Sequence, residues 1–98
     1  MPVFMIERRF AEVLEATPES ALEVAAINDE EGVQWLYSFL SVDKRKTYCL
    51  YEAESVDAIR RSAARAGLPA DVIVEICNKI LPDGSLTGVG TDSDRRPA

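Results

Sequence analysis

Two consecutive stretches decide the fold: KTYCLYEA at residues 46–53 and SVDAIRRSAARAGLP at residues 55–69. The first is rich in β-formers that alternate at a spacing of two, which predicts a strand. In the second, Ser55 is a favourable N-cap, apolar residues recur at helical spacing, and Gly67 followed by Pro69 ends the periodic segment. Together they predict a strand that leads directly into an amphipathic helix.

Further elements lie on both sides of this pair. The pattern predicts a strand over 3–9, a helix from Pro18 to about Asp29 with Leu22, Ala25 and Ala26 facing inward, a strand over 33–41 that forms a hairpin with 46–53, and a strand over 72–80. The resulting order, β-α-β-β-α-β, is the split β-α-β pattern. We therefore expect an α+β ferredoxin-like sandwich, with a four-stranded antiparallel sheet in the order 4-1-3-2 and two helices on one face.

The chain has 98 residues, which is enough for one hydrophobic core and too few for two. Residues 1–80 form the predicted ferredoxin-like domain. Residues 81–98 are rich in Pro, Gly, Ser, Thr and Asp, which predicts a polar, loose C-terminal tail. Cys49 and Cys77 fall on strands that the predicted order separates by two strand spacings, so we expect their thiols to stay unpaired.

Charge and composition disfavour several classes of function. A total of 11 Lys and Arg against 17 Asp and Glu gives a net charge of −6, so we expect no nucleic-acid partner. The chain has no His, which excludes a Ser-His-Asp triad and a His-rich zinc site. Its apolar runs are too short to cross a bilayer and its two Cys make no disulfide framework, so we expect a cytoplasmic protein with no membrane partner.

The predicted sheet has one face covered by helices and one open face. Alternation assigns Phe4, Ile6, Leu36, Leu40 and Leu50 to the covered face. It assigns Met5, Glu7, Trp35, Tyr37, Phe39, Cys49 and Tyr51 to the open face. Because soluble monomers rarely leave so large an aromatic surface in water, we expect a homodimer in which a second copy covers it.

Five of these open-face residues form the candidate ligand pocket: Glu7, Trp35, Tyr37, Cys49 and Tyr51. All but Trp35 place a polar or reactive group on an otherwise apolar surface, and buried polar groups need partners. The simpler alternative is that aromatic side chains at strand spacing serve only as interface packing. The sequence leaves both interpretations open.

Several stretches resemble those of a known family. They are Glu7-Arg8, GVQWLYS at 32–38, KTYCLYEA at 46–53 and AGLPAD at 66–71, within a resemblance that extends over residues 3–77. The chain resembles a small bacterial family typified by a nickel-binding ferredoxin-like protein. This resemblance implies the fold given above, a dimer, and the binding of nickel or another divalent metal in at least one member. It implies no established reaction.

The sequence departs from that family pattern at one position. Where such sequences usually read Trp-x-His-Ser, this chain reads WLYS at 35–38, with Tyr37 in the place of the histidine. Nickel prefers nitrogen donors and a neutral phenol is a poor ligand, so we expect metal binding to be weakened or lost. Glu7 and Cys49 remain as candidate metal ligands. Two ligands are too few for a closed site unless a second copy or another carboxylate such as Glu75 contributes.

Three functions stay open at the level of sequence. The first, which we favour, is a non-enzymatic dimeric domain that binds a metal ion or a small molecule. The second is a cofactor-free enzyme of the dimeric α/β-barrel type, monooxygenase- or isomerase-like, with Glu7 as base and Tyr37 or Tyr51 orienting the substrate. The third is a purely structural interaction module.

Overall fold

The computed structural model describes residues 1–89. Its main elements are β1 (Val3–Arg9), α1 (Pro18–Glu31), β2 (Gln34–Leu40), β3 (Lys46–Glu52), α2 (Val56–Ala66) and β4 (Val72–Ile76). The four strands form one antiparallel sheet in the order β2-β3-β1-β4. This is the predicted order read from the opposite edge, so the ferredoxin-like α+β fold is confirmed.

Both helices begin and end at residues with specific capping chemistry. Thr17 caps α1 in a reciprocal pair with Ser20, and the Ser55 side chain accepts a hydrogen bond from the Ala58 N–H at the start of α2. Gly32 and Gly67 end the two helices at φ 71° and 69°, a left-handed conformation that favours glycine. These caps place the helix ends close to the positions that the sequence predicts.

The inward side of α1 differs from the prediction. Leu22 is 71% exposed and Ala25 and Ala26 are also exposed, whereas the buried residue of the helix is Asn28. The Asn28 Oδ1 atom accepts a hydrogen bond from the Ser62 hydroxyl of α2, which fixes the rotation of α1 about its axis. The inward side instead carries Ala21, Val24 and Ile27, which are half-buried and recur at helical spacing with Asn28.

Salt bridges join the C-terminal end of α1 to the C-terminal half of α2. Arg65 of α2 pairs with Glu30 and Glu31 of α1, and Arg61 pairs with Glu31 at 3.1 Å. The guanidinium of Arg65, followed by that of Arg61, holds the pKa of Glu31 below its ordinary value. The helices therefore contact each other through a buried polar pair and an exposed charged cluster.

The register of the sheet corrects the predicted faces. Phe4 of β1 lies opposite Tyr51 of β3, and Ile6 lies opposite Cys49, so Cys49 and Tyr51 share the helix-covered face with Phe4 and Ile6. Leu50 lies opposite Met5 and therefore belongs to the open face. The prediction was wrong for these three residues of β3 because the strand is apolar on both sides, and alternation alone does not say which side faces the helices.

A β-bulge in β2 separates two aromatic residues that the sequence assigns to one face. Trp35 lies opposite Tyr51 and Tyr37 lies opposite Leu50, with the register shift between them. Leu36 is the extra residue, so Trp35 is on the helix-covered face while Tyr37 and Phe39 are on the open face. Placing Trp35 on the open face was therefore wrong, because the bulge interrupts the regular alternation between Trp35 and Tyr37.

The core lies between the sheet and the helices. Its buried cluster consists of Phe4, Ile6, Val33, Cys49, Tyr51, Ala53, Ala58 and Ile59, with Trp35, Val56, Ala70 and Ile73 packed against it. Both Cys49, which is buried, and Cys77, which is exposed, have free thiols. Within residues 1–89, none of the helices is long and apolar enough to cross a membrane.

The end of the described chain differs from the prediction of one strand over 72–80 followed by a loose tail. The strand predicted over 72–80 stops at Ile76, and a two-residue pair follows in which β5 (Lys79–Ile80) lies against β6 (Leu86–Thr87). Gly84 turns this hairpin at φ 87°. The first part of the segment predicted to be loose thus forms a short hairpin, and residues 90–98 lie outside the described part.

Candidate ligand pocket and open sheet face

A cavity of about 360 Å³ lies between the helix-covered face of the sheet, α1 and the loop that precedes α1. The sheet contributes Arg8, Trp35, Ser38, Leu40, Thr47, Cys49 and Tyr51. The remaining lining residues are Phe10, Leu14, Glu15, Ala16, Thr17, Ser20, Ala21, Val24 and Leu68. Most of this lining is apolar, and the volume falls in the range of small-molecule pockets.

Two stacked aromatic rings form part of the cavity wall. The rings of Trp35 and Tyr51 lie 6.4 Å apart between centroids with an interplanar angle of 10°. The Trp35 indole N–H donates a hydrogen bond of 2.8 Å to the Ser38 hydroxyl, which spans the β-bulge. The indole is therefore held in this wall by both stacking and a hydrogen bond.

Arg8 places a buried positive charge at the same cavity. The residue is only 3% exposed, and its guanidinium donates a hydrogen bond to the Pro69 carbonyl oxygen. The guanidinium carbon lies 5.7 Å from the centroid of the Tyr51 ring, a cation–π contact. Burial raises the pKa of the Tyr51 phenol, and the charge of Arg8 opposes that rise.

Cys49 lies deep in the cavity wall. Its thiol contacts the Thr47 hydroxyl at 3.5 Å, and both residues point to the helix-covered side because they are two apart on β3. Cys49 is buried within the core cluster. Its position makes it a packing residue of the cavity floor that a bound molecule would contact.

The open face has two rows of side chains that run across all four strands. One row contains Val74, Met5, Leu50 and Tyr37, and the next contains Val72, Glu7, Tyr48 and Phe39. Tyr37 and Phe39 pack edge to face with centroids 5.5 Å apart, yet they are 46% and 57% exposed. This face therefore presents apolar groups at both edges of the sheet.

Glu7 is the carboxylate in the second of these rows. Arg9 lies two residues along the same strand and contacts the Glu7 Oε2 atom with its Nε at 2.9 Å and its Nη2 at 2.8 Å. Arg9 is largely exposed, so this pair is a surface salt bridge. Glu7 is thus engaged by a cation of its own strand.

The structure divides the five predicted pocket residues between the two faces. Trp35, Cys49 and Tyr51 line one cavity, whereas Glu7 and Tyr37 lie on the open face. The two candidate metal ligands, Glu7 and Cys49, are therefore on opposite sides of the sheet. Within residues 1–89, no group of three or more His, Cys, Asp or Glu side chains is placed to hold a metal ion.

Sequence reasoning missed Arg8 as a pocket residue. The signal was present, because Arg8 is two residues beyond Ile6 and four beyond Phe4 in a regular strand, which puts all three on one face. An arginine on the core side of a strand is unusual, since Arg is rarely buried without a partner. Its position on the core side of β1 could therefore have marked Arg8 as a pocket residue.

A family model described as "Nickel responsive protein SCO4226-like" matches residues 4–76. The chain belongs to this family. A solved structure, that of SCO4226 from Streptomyces coelicolor A3(2), is similar with a TM-score of 0.68 and 25% sequence identity over 79% of this chain and 98% of that chain. The curated proteins give no match. Membership of the nickel-responsive family confirms the resemblance found in the sequence.

Proposed function

We propose that this member of the nickel-responsive family is a homodimeric binding module rather than an enzyme, joined through its open sheet faces, with weak or no affinity for nickel. The observation that carries the proposal is the pair of apolar rows on the open face. Tyr37 and Phe39 at one sheet edge and Val72 and Val74 at the other are all more than two-fifths exposed. A second copy of the same face would remove them from water.

The geometry of the open face also supports weak nickel binding. Tyr37 occupies the position where the family pattern usually has histidine, and its neutral phenol is a poor ligand for nickel. Glu7 is engaged by Arg9, and Cys49 is on the other face of the sheet. The donor groups that one chain places on this face therefore do not fit a closed nickel site, and the same face of a second copy would repeat this donor set.

The cofactor-free enzyme has less support. It requires Glu7 as a base near the tyrosine that orients the substrate, and Tyr51 lies in the cavity on the opposite face. Tyr37 does share the open face with Glu7, but the described cavity, which could enclose a substrate, lies on the opposite face. A binding module is therefore the better account.

Dimer formation is tested by sedimentation velocity on the wild type, Phe39→Asp and Leu22→Asp. We expect a dimer that Phe39→Asp dissociates, because a carboxylate placed in the apolar rows is costly to desolvate. Leu22→Asp is the matched control, since Leu22 is even more exposed but lies on α1. A monomeric wild type, or dissociation by Leu22→Asp instead, contradicts the open-face dimer.

Nickel affinity is tested by calorimetry on protein without a histidine tag. We expect no binding tighter than the millimolar range for the wild type, and a gain for Tyr37→His, which restores the donor of the family pattern. Val74→His is the control, because it adds an imidazole to the same face at the opposite edge strand. Micromolar binding by the wild type, or an equal gain in both variants, contradicts the proposal.

A further inference from the structure

We propose that the cavity under the sheet binds a small molecule with an apolar body and a single anionic head group, a carboxylate in the simplest case, and that Arg8 binds the head group. This site is on the opposite face from the proposed dimer contact. The inference therefore does not rest on the dimer or on nickel.

The charge balance around Arg8 points to an anion. Its guanidinium keeps its positive charge when buried, and a buried charge is costly unless an opposite charge or a full set of hydrogen bonds compensates it. Within residues 1–89, Arg8 contacts the Pro69 carbonyl and the Tyr51 ring, and no carboxylate pairs with it. A guanidinium has five N–H donors, so it retains the capacity to bind an incoming carboxylate.

The rest of the cavity suits an apolar body. The stacked pair of Trp35 and Tyr51 provides one wall, and Leu14, Val24 and Leu40 provide aliphatic surface. Such a lining favours a hydrocarbon chain or a ring over a sugar or a nucleotide, because it offers few hydrogen-bonding groups. A cavity of about 360 Å³ accommodates a medium-chain fatty acid or a small aromatic acid.

The mouth of the cavity lies at the loop before α1, where Glu15, Ala16 and Thr17 line it and are exposed. Glu15 is a carboxylate and repels an anion. It is exposed to solvent, so water and salt screen this repulsion far more than they screen the attraction of the buried Arg8. The head group is therefore expected at the sheet end of the cavity, with the apolar body toward α1.

The first experiment compares octanoate with octanamide, which has the same chain and a neutral head group. Trp35 is the only tryptophan of the chain and forms a cavity wall, so its fluorescence reports occupancy directly. We expect octanoate to bind at least about tenfold more tightly than octanamide, since a charge-assisted hydrogen bond contributes more than a neutral one. Equal affinities, or no binding of either probe, overturn the proposal.

The second experiment compares Arg8→Met with Arg9→Met. Both remove one positive charge from β1, but Arg9 is on the other face and is paired with Glu7. We expect Arg8→Met to reduce octanoate affinity at least about tenfold, to the level of octanamide, and Arg9→Met to leave it unchanged. Equal losses in both variants overturn the assignment, because they report net charge rather than a site.

A third variant keeps the test decisive if Arg8→Met does not fold. Ala21→Leu adds volume to the α1 side of the cavity and leaves Arg8 in place. We expect Ala21→Leu to lower the affinity for octanoate and for octanamide by the same factor, which places both probes in the cavity. The preference of the wild type for octanoate over octanamide then reports the contribution of the buried Arg8 charge. Unchanged binding of both probes by Ala21→Leu places them outside this cavity and overturns the proposal.

Discussion

The two faces of this sheet are both apolar, but within residues 1–89 the helices cover one face, and on the other the side chains at the sheet edges stay exposed although Leu50 at the centre is buried. On the covered face the edge-strand residues Trp35 and Ile73 pack against the core cluster. On the open face the corresponding edge residues, Tyr37 and Val74, remain about half exposed. Apolar composition therefore does not identify the core side of a strand. The side that the helices contact is the core, and a second apolar side with exposed edges is a candidate contact surface.

The largest expected effect is a difference in stability between alanine variants of two neighbouring residues of β1, one on each face. Ile6 is fully buried, so Ile6→Ala should lower the free energy of unfolding by about 3 kcal/mol through lost burial and a cavity. Met5→Ala on the open face should cost less than about 1.5 kcal/mol in the monomer. Urea unfolding at several protein concentrations measures both.

The same titrations test the partner of the open face. If a second copy covers Met5, the cost of Met5→Ala rises with protein concentration, because more of the protein is dimeric. The cost of Ile6→Ala is set within the monomer and should change little with concentration. Equal costs for the two variants at every concentration contradict the distinction between a core face and an open face.

The next effect concerns the accessibility of the two thiols. A maleimide attached to polyethylene glycol is too large for the cavity, so it should modify exposed Cys77 at least about 100-fold faster than buried Cys49, which reacts only after local opening. A gel shift counts the modified thiols with time. Both should react in denaturant without reductant. Rapid native modification of Cys49, or no reaction at either thiol in denaturant, contradicts the described arrangement.

The smallest effect concerns the salt bridges between α1 and α2, where Arg65 and Arg61 hold the pKa of Glu31 below its ordinary value of 4.5. A carboxylate with a lowered pKa stabilises the folded state above its ordinary pKa, and that contribution is lost as the pH falls through the folded-state pKa. Arg65→Gln should therefore raise the pKa of Glu31 toward 4.5 and reduce this acid sensitivity.

An NMR titration of the side-chain carboxyl carbons measures this change. Arg60→Gln is the matched control, because Arg60 is on the same helix and forms none of the described helix–helix salt bridges. If Arg60→Gln raises the pKa of Glu31 as much as Arg65→Gln does, general surface charge rather than the specific pair sets its value.

Much of the fold could be predicted from local sequence signals. The N-caps Thr17 and Ser55 and the C-cap Gly67 fix helix ends through the hydrogen bonds and backbone angles of single turns. The strand order then follows from the order of elements along the chain. These features depend on short stretches, which is why sequence alone gives them correctly.

The assignment of faces depends on contacts between distant residues. Cys49 belongs to the core because of its register opposite Ile6, and nothing within β3 itself states that register. Trp35 and Tyr37 separate because Leu36 is an extra residue in the ladder. The candidate site was therefore predicted only in part: Glu7 and Tyr37 lie on the expected face, and the cavity with Arg8 became visible only in three dimensions.

The short strand β4 has a consequence for the behaviour of the protein at high concentration. It is an edge strand with the sequence VIVEI, and such strands offer unpaired backbone groups on which other chains can stack into cross-β aggregates. Glu75 is the only charged residue of this strand, and a charge within such a segment disfavours that stacking. Because acidification toward the pI of about 4.6 removes the net charge of −6 that keeps the chains apart, turbidity should increase as the pH approaches that value.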